Sequence, residues 1–287
     1  MEQEKTELVP ALVERAVKGD KAALEELLGS VQDLVFNLAL RMLGTVPDAE
    51  DATQEILVKV MTRLATFKGQ SAFTTWVFRV AANHLQSYRK HLFAQHPLSF
   101  EEYGEDIASG REQDMPDLSG GVDRALLEKE LKLSCSNVML QCFEPQDRCI
   151  FILGTMFKVD SRVAAEMLEM TPEAYRQRLS RLRKRMAAFL GEYCGLAGGR
   201  CACARRVDYA VATHRLDPRH LAFPGLEPGA QVLQDCVSAM EEIDDLSRVF
   251  AAFPAYRATP AARAFLKEFL RSDPYARVAA MEREELE

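Results

Sequence analysis

The stretch that decides the fold runs from Asp48 to His91 and reads DAEDATQEILVKVMTRLATFKGQSAFTTWVFRVAANHLQSYRKH. Its first part has apolar residues at intervals of three and four with acids between them, which predicts an amphipathic helix. A short turn follows, and then a second helical segment that begins with aromatic residues and ends with basic ones. This order suits a protein that docks one helical face on a large partner and offers another to opened DNA.

Three pieces of this stretch, DAEDATQE, FKGQSAFTTW and RVAANH, resemble region 2 of bacterial RNA polymerase sigma factors, in particular the extracytoplasmic-function (ECF) group. Further along, EAYRQRLSRLRKRM resembles the last helix of sigma region 4. The segment before it, FKVDSRVAAEML, differs from the sequence that is usual in the family. The resemblance covers about residues 7–193. It implies an all-α sigma factor that binds core RNA polymerase, recognises the −35 and −10 promoter elements and assists strand opening.

Length and composition are those of globular modules. The chain has 287 residues, of which 48% are hydrophobic and 28% are charged, as in ordinary folded domains. No apolar run approaches the roughly 20 residues of a membrane helix, and the N-terminus is too charged for a signal peptide. Seven cysteines, an odd number scattered along the chain, indicate a reducing compartment. We therefore expect a cytoplasmic protein with no membrane insertion.

The net charge of −7 looks unfavourable for DNA binding, but the charges are segregated. Residues 176–185 carry six basic residues and no acid, whereas residues 101–117 carry seven acids and a single arginine. Phosphate binding depends on the local density of Lys and Arg rather than on net charge. The acidic total therefore does not exclude DNA as a partner.

The chain divides into four parts. Residues 7–91 have the apolar spacing of four helices, and residues 123–193 form a second helical module. Between them, residues 92–122 are rich in proline, glycine and acids, a composition that predicts a flexible linker. Residues 194–287 form a Cys-containing extension, which ends in helical sequence from about Ala230. No alternating pattern of strands is present.

The second module contains a helix-turn-helix pattern. A helix over residues 146–157 and a short one over 161–168 lead to a turn at Glu169 and Met170. Thr171 is a suitable N-cap and Pro172 suits the first helical position. The next helix has a stripe of apolar residues backed by a cationic face, which is what a recognition helix requires; the stripe consists of Tyr175, Leu179, Leu182, Met186 and Phe189.

The acidic helix is the candidate surface for polymerase. Asp51 and Glu55 are four residues apart and share one face, with Gln54 beside them. A solvated helix face is the alternative that the pattern alone leaves open. In the sigma resemblance, Asp51, Gln54 and Glu55 match positions that contact the clamp helices of the largest polymerase subunit. An anti-sigma protein is a further candidate partner.

The turn and the helix after it are the candidate −10 surface. Aromatic faces capture unstacked bases at about 1–3 kcal/mol per base. Phe73 and Trp76 are candidates for this, although either could equally belong to the core. By resemblance, Asn83 and the loop up to Thr75 lie where the −10 element is read. The full set of predicted −10 residues is Phe73, Thr75, Trp76, Arg79, Asn83 and Arg89.

The cationic face of the recognition helix is the candidate −35 surface. Arg176, Gln177, Arg178 and Arg181 have the donors that base edges and phosphates accept. Thr171 could both cap this helix and offer its hydroxyl to a phosphate. A basic face that only contacts solvent is the alternative.

The cysteines of the extension allow two interpretations. Cys194, Cys201 and Cys203 could supply thiolates to zinc, with His214, His220 or another cysteine as the fourth ligand. Their spacing is not the paired C-x-x-C of well-known zinc sites, and the glycines among them would suit a plain loop as well. A sigma factor requires no cofactor, so zinc is a candidate here rather than a necessity.

The sequence contains little that would support a catalytic function. The sequence has no phosphate-binding glycine loop, no H-E-x-x-H and no nucleophile-elbow motif, so we predict that the chain is not an enzyme. Two other functions remain as alternatives. One is a helix-turn-helix regulator that binds DNA without polymerase; the other is a metal or redox sensor that acts through the Cys-containing extension.

Overall fold

The structure, a computed structural model, describes residues 2–111, 115–223, 250, 255–272 and 275. Within these ranges the chain is all-α and has no strand, as the sequence predicts. The helices are α1 (Glu2–Val17), α2 (Lys21–Leu43), α3 (Val46–Thr62), α4 (Phe73–Ser87), α5 (Leu92–Gln95), α6 (Phe100–Ala108), α7 (Arg124–Gln141), α8 (Pro145–Phe151), α9 (Ser161–Met167), α10 (Pro172–Tyr193), α11 (Cys203–Ala212) and α12 (Pro260–Phe269).

Helices α1 to α4 form the first module around α2. The Asp20 carboxylate caps α2 by accepting hydrogen bonds from the backbone N–H groups of Ala22 and Ala23 at 3.0 and 3.2 Å. At the other end, Gly44 takes a left-handed conformation with φ 90°, which ends the helix. Thr45 then caps α3. Most of α2 is buried between α1, α3 and α4, so this helix is the centre of the module.

Helices α8, α9 and α10 form the second module. Helix α8 continues into a π-helical turn at Ile152–Met156, which packs on α10. A Cβ at Gly154 would lie 2.3 Å from a methyl of Leu179 and 2.7 Å from the Tyr175 hydroxyl. Only glycine therefore lets the two helices approach this closely. The predicted turn between α9 and α10 is present, with Glu169 at φ 54°.

The two modules pack against each other through the end of α2. The buried guanidinium of Arg148 on α8 donates hydrogen bonds to the carbonyl oxygens of Met42, Leu140, Gln141 and Phe143. These carbonyls lie at the C-terminal ends of α2 and α7 and in the turn after α7, where helices lack internal donors. The expectation of two bodies joined only by a linker is therefore wrong for this conformation.

The linker prediction for residues 92–122 is wrong around α6. Ser99 and Glu102 form a capping box at its start, and Phe100, Tyr103 and Ile107 are buried. The Phe100 ring contacts the rings of Phe143 and Phe189 at centroid distances of 5.0 and 5.1 Å. An apolar stripe at three- and four-residue spacing thus holds α6 on the second module despite its acids.

The extension returns to both modules. Helix α11 packs on α7. The ion pair Arg124–Asp208, at 2.8 Å, ties it to the start of α7, and Arg206–Asp106, at 2.6 Å, ties it to α6. Helix α12 packs on α2 and α3. It confirms part of the predicted helical sequence, whereas residues 230–249 lie outside the described residues. In the part of the chain described here, no helix has the length and apolar character needed to cross a membrane.

Candidate nucleic-acid and polymerase interfaces

The predicted polymerase-docking residues lie together on α3. Asp51 is exposed, and Gln54 and Glu55 are half-buried on the same face. They line an open cavity of about 510 Å³, whose other walls are Val58, Lys59, Tyr88, Lys90 and Phe265. The acidic face is therefore part of a concave surface rather than a bare helix side.

A charged network fixes Glu55 within this surface. The Lys90 ammonium donates a hydrogen bond to the Glu55 carboxylate at 2.8 Å. The Lys59 ammonium lies 2.7 Å from His84 Nδ1, and because an ammonium only donates, Nδ1 is the acceptor. The neutral ring then carries its proton on Nε2, which lies 3.3 Å from Glu55. Glu55 therefore already has a partner within the molecule, the Lys90 ammonium, whereas Asp51 is exposed.

The imidazole of His84 is held neutral by its surroundings. Burial lowers its pKa from the ordinary value of 6.5, and the positive charge of Lys59 lowers it further. The Glu55 carboxylate opposes this shift. Since the lowering effects dominate, the network near neutral pH consists of two ammonium groups, one carboxylate and one neutral ring.

Two aromatic residues proposed for base capture have different positions. Phe73 is buried, with 5% of its surface exposed, and its ring contacts Phe67 at 5.5 Å and Trp76 at 5.9 Å. Trp76 is half-buried. The structure therefore favours the core alternative for Phe73 and leaves part of the Trp76 ring available to a partner.

The polar residues predicted for the −10 element follow one line along α4. Thr75, Arg79 and Asn83 are four residues apart, so they share a helix face, and Asn83 is exposed. Arg89 is exposed beyond the end of α4. The Arg79 guanidinium donates a hydrogen bond at 2.9 Å to Glu166 of α9. Glu166 of the second module thus binds Arg79, the middle residue of this line.

The predicted −35 residues lie at the start of α10. Thr171 caps the helix by accepting a hydrogen bond from the Ala174 backbone N–H at 3.2 Å, and its side chain is exposed. Arg176, Gln177 and Arg181 are exposed as well. Arg178 differs, because its guanidinium is bound by Asp147 and Gln146 of α8 at 2.5 and 2.7 Å. Its observed role is to hold α10 on α8.

The structure brings further residues to these surfaces that sequence reasoning missed. Lys59 and Tyr88 line the docking cavity because α3 and α4 are neighbours. Phe265 reaches the same cavity from the extension, and no local pattern in the sequence signals this. Glu166, which binds Arg79, was likewise missed, because the sequence gave no reason to place α9 against α4.

The three candidate zinc ligands lie at the end of α10 and the start of α11. Cys194 ends α10, and the loop after it folds back so that the Cys201 N–H donates to the Tyr193 carbonyl at 2.9 Å. A Cβ at Gly195 would lie 1.8 Å from the Cys201 carbonyl oxygen, so the glycine serves the tight loop. Among the described residues, no group of three or more Cys, His, Asp or Glu is arranged to hold a metal ion.

Comparisons with known proteins converge on the first module. Residues 27–92 match the model of sigma-70 region 2, which covers α2, α3 and α4. The chain is 37% identical over 84 residues to RNA polymerase sigma-H factor of Pseudomonas aeruginosa, covering 29% of this chain and 42% of that protein. It is 39% identical over 77 residues to the ECF RNA polymerase sigma-E factor of Escherichia coli K12, covering 27% and 40%.

A third relative is the ECF RNA polymerase sigma-E factor of Haemophilus influenzae, which is 38% identical over 78 residues, 27% of this chain and 41% of that protein. The chain thus spans about two fifths of the length of the curated relatives it matches. The family match coincides with the module that carries the acidic docking face and the polar line of α4.

Proposed function

We propose that this chain, which belongs to the ECF group of the sigma-70 family by its region 2, binds core RNA polymerase and directs promoter-specific initiation of transcription. One observation carries the proposal: the residues that match sigma-70 region 2, 27–92, include both the acidic face of α3 and the polar line of α4. A protein that acts on core polymerase in this way would work in the cytoplasm.

The polymerase contact would be made by Asp51, Gln54 and Glu55. Asp51 is the exposed acid of this face, so the face suits a partner with basic side chains, as expected for the clamp helices of the largest polymerase subunit. Exposed charges of this kind set the association rate and the orientation of binding more than the final affinity. Asp51 would contribute most to this steering, because Glu55 is already paired with Lys90.

The −10 contact would be made by α4. Thr75, Arg79 and Asn83 would face the DNA backbone and bases, with Arg89 beyond the helix end. Trp76 would offer its exposed edge or face to an unstacked base. Phe73 would support this turn from the core, because its ring is packed against Phe67 and Trp76.

The −35 contact would be made by α10 in the major groove. Arg176, Gln177 and Arg181 present side-chain donors on the exposed face, as direct readout of base edges requires. Thr171 at the helix start would position a phosphate near the N-terminal backbone N–H groups. Arg178 would act through its ion pair with Asp147, by fixing the orientation of α10 on α8.

The proposal is tested by transcription in a purified system. Core polymerase is mixed with the full chain and genomic DNA of its own host, and the 5′ ends of the transcripts are mapped. We expect start sites that appear with the chain and are absent with core polymerase alone. Co-purification with core polymerase is measured in parallel. If no defined start site appears and no complex forms, the proposed function is wrong.

Two variants distinguish the loss of a docking contact from a general loss of negative charge. Asp51→Ala should weaken association with core polymerase, because it removes the exposed acid of the docking face. Glu26→Ala removes an exposed acid from α2 and serves as the matched control. Equal binding by the two variants would contradict the assignment of α3 as the docking helix.

A further inference from the structure

The strap, residues 255–272, covers the first module along α2 and α3. It contains α12 and the extended segment before it. Ala258, Ala262, Leu266 and Leu270 are buried, with 0 to 4% of their surface exposed. The strap thus packs on the module as a continuous element of tertiary structure rather than resting loosely on its surface.

Polar side chains of α2 bind the backbone of the strap. The Asn37 side chain accepts from the Tyr256 N–H at 2.8 Å and donates to the Tyr256 carbonyl at 2.5 Å. Asp33 accepts from the Ala258 N–H at 2.7 Å, and Gln32 donates to the Ala262 carbonyl at 2.7 Å. Three side chains of one helix therefore bind the strap in a fixed register.

The three side chains of α2 that bind the strap are polar, and this affects whether the strap can detach reversibly. Gln32, Asp33 and Asn37 can exchange their bonds to the strap for bonds to water, because all three carry hydrophilic groups. A face made only of leucine and valine would expose a large apolar patch if the strap left, which monomeric proteins avoid. Part of the face of α2 beneath the strap is therefore polar.

The strap also reaches the docking face itself. Phe265 of α12 is half-buried and lines the same cavity as Asp51, Gln54 and Glu55. Its neighbour on the helix surface, Phe269, stacks on it at a centroid distance of 5.5 Å. A helix of a partner protein that approached the acids of α3 would meet the Phe265 ring and the turn of α12 that carries it.

We propose that the strap is an intramolecular occupant of the polymerase-docking surface, and that core polymerase has to displace α12 in order to bind α3. The inference rests on the proposed function, since it assigns a competitor to the same surface. The apparent affinity for core polymerase is then the intrinsic affinity reduced by the fraction of molecules whose strap is displaced. The extension thereby sets how much of the protein is available to polymerase.

The test compares strap variants of the full chain for binding to purified core polymerase. Leu266→Asp places a charge in the buried contact and should detach the strap. If about one molecule in ten is open in the unaltered chain, detachment raises the apparent affinity roughly tenfold. Faster tryptic cleavage after Arg257, in the extended segment of the strap, verifies that the strap has left. Glu268→Ala, on the exposed side of α12, is the control and should change neither measurement.

A second variant covers the case in which Leu266→Asp prevents folding. Phe265→Ala removes the half-buried ring that lines the cavity beside the acids and leaves the buried contacts of α12 in place. It should also tighten binding to core polymerase.

The outcomes separate the two proposals. Unchanged affinity in a variant whose strap is cleaved faster would overturn the strap proposal while the unaltered chain still binds polymerase. No binding by any form would overturn the proposed function, and the strap proposal with it.

Discussion

Helices α4 and α10 are the two candidate DNA-binding helices, and they differ in how far the folded chain already uses their polar faces. On α4, the Arg79 guanidinium is bound by Glu166 of the other module. On α10, Arg176 and Arg181 are exposed. In this conformation the candidate −35 surface is open, whereas the candidate −10 surface is partly covered. The difference indicates that tertiary contacts, and not residue type alone, decide which basic residues are available to DNA.

The largest expected effect concerns Arg148, which joins the modules that create this difference. Arg148→Ala would leave four main-chain carbonyls at the ends of α2 and α7 without their shared donor. A buried acceptor left without its donor costs roughly 1–3 kcal/mol, and four acceptors lose one here. We expect the free energy of unfolding in urea to fall by at least about 3 kcal/mol.

The control for this experiment is Arg162→Ala, which removes an exposed arginine of α9. Surface substitutions of this type usually change stability by less than about 0.5 kcal/mol. If Arg148→Ala also costs less than about 1 kcal/mol, the buried contacts of Arg148 do not hold the modules together.

The next prediction separates two arginines of α10 that lie two residues apart. Arg181 is exposed, whereas the Arg183 guanidinium is bound by the Thr155 hydroxyl and the Gly154 carbonyl at 3.1 and 2.8 Å. Arg181→Ala should weaken binding of the polymerase complex to −35 DNA by about 1–3 kcal/mol, or roughly 5- to 150-fold. Stability should hardly change.

Arg183→Ala should show the opposite pattern. It should lower the melting temperature because it frees α10 from the π-helical turn, and its effect on −35 binding should be smaller than that of Arg181→Ala. Gel-shift titrations and thermal melts of both variants give the comparison. Equal losses of DNA affinity would show that the two arginines do not differ in the way their contacts indicate.

A smaller effect is expected at the ion pair that covers α4. The side chains of Arg79 and Glu166 are 34% and 61% exposed, so the pair contributes only about 0.2–1 kcal/mol. Glu166→Gln should therefore raise binding of the −10 strand by less than about fivefold. Fluorescence anisotropy with a single-stranded −10 oligonucleotide measures this in the polymerase complex. Glu169→Gln, in the turn after α9, is the control, and weaker binding by Glu166→Gln would contradict a covering role.

The sequence predicted local structure well because local signals are strong in this chain. Asp20 and Thr171 have the side chains of helix caps, and both cap the helices predicted to follow them. The four helices of the first module and the turn before α10 follow from apolar spacing and from these caps. The structure accordingly exposes Asp51 on α3 and Arg176, Gln177 and Arg181 on α10, whereas Arg178 is bound by α8.

The failures have a common physical cause, which is that contacts between distant segments leave little local trace. Arg148 appears in the sequence as an ordinary charged residue, yet its guanidinium is buried among carbonyls of two other helices. The strap likewise depends on Asn37, about 220 residues away in the chain and bonded to Tyr256. The ordered α6 is a different case, because Ser99 and Glu102 form a recognisable capping box that the composition of its surroundings concealed.

The smallest effect expected is a dependence of stability on pH that arises next to the docking face. Burial lowers the pKa of His84 and of His91 below the ordinary value of 6.5. Positive neighbours add to the shift, Lys59 at His84 and Arg148 at His91. In the unfolded chain both rings take up a proton more readily than in the folded one. Above pH 6.5, these two rings therefore do not change the stability of the fold. The stability decreases as the pH falls from 6.5 through the lower pKa values that the rings have in the folded protein.

Urea unfolding at a series of pH values between about 7.5 and 5 measures the slope of the unfolding free energy against pH, which is proportional to the difference in bound protons between the two states. His84→Gln with His91→Gln should flatten the slope, because neither side chain can then be protonated. His96→Gln, in a segment beyond α5, is the control. If the double variant keeps the full slope, groups other than these two imidazoles bind the protons.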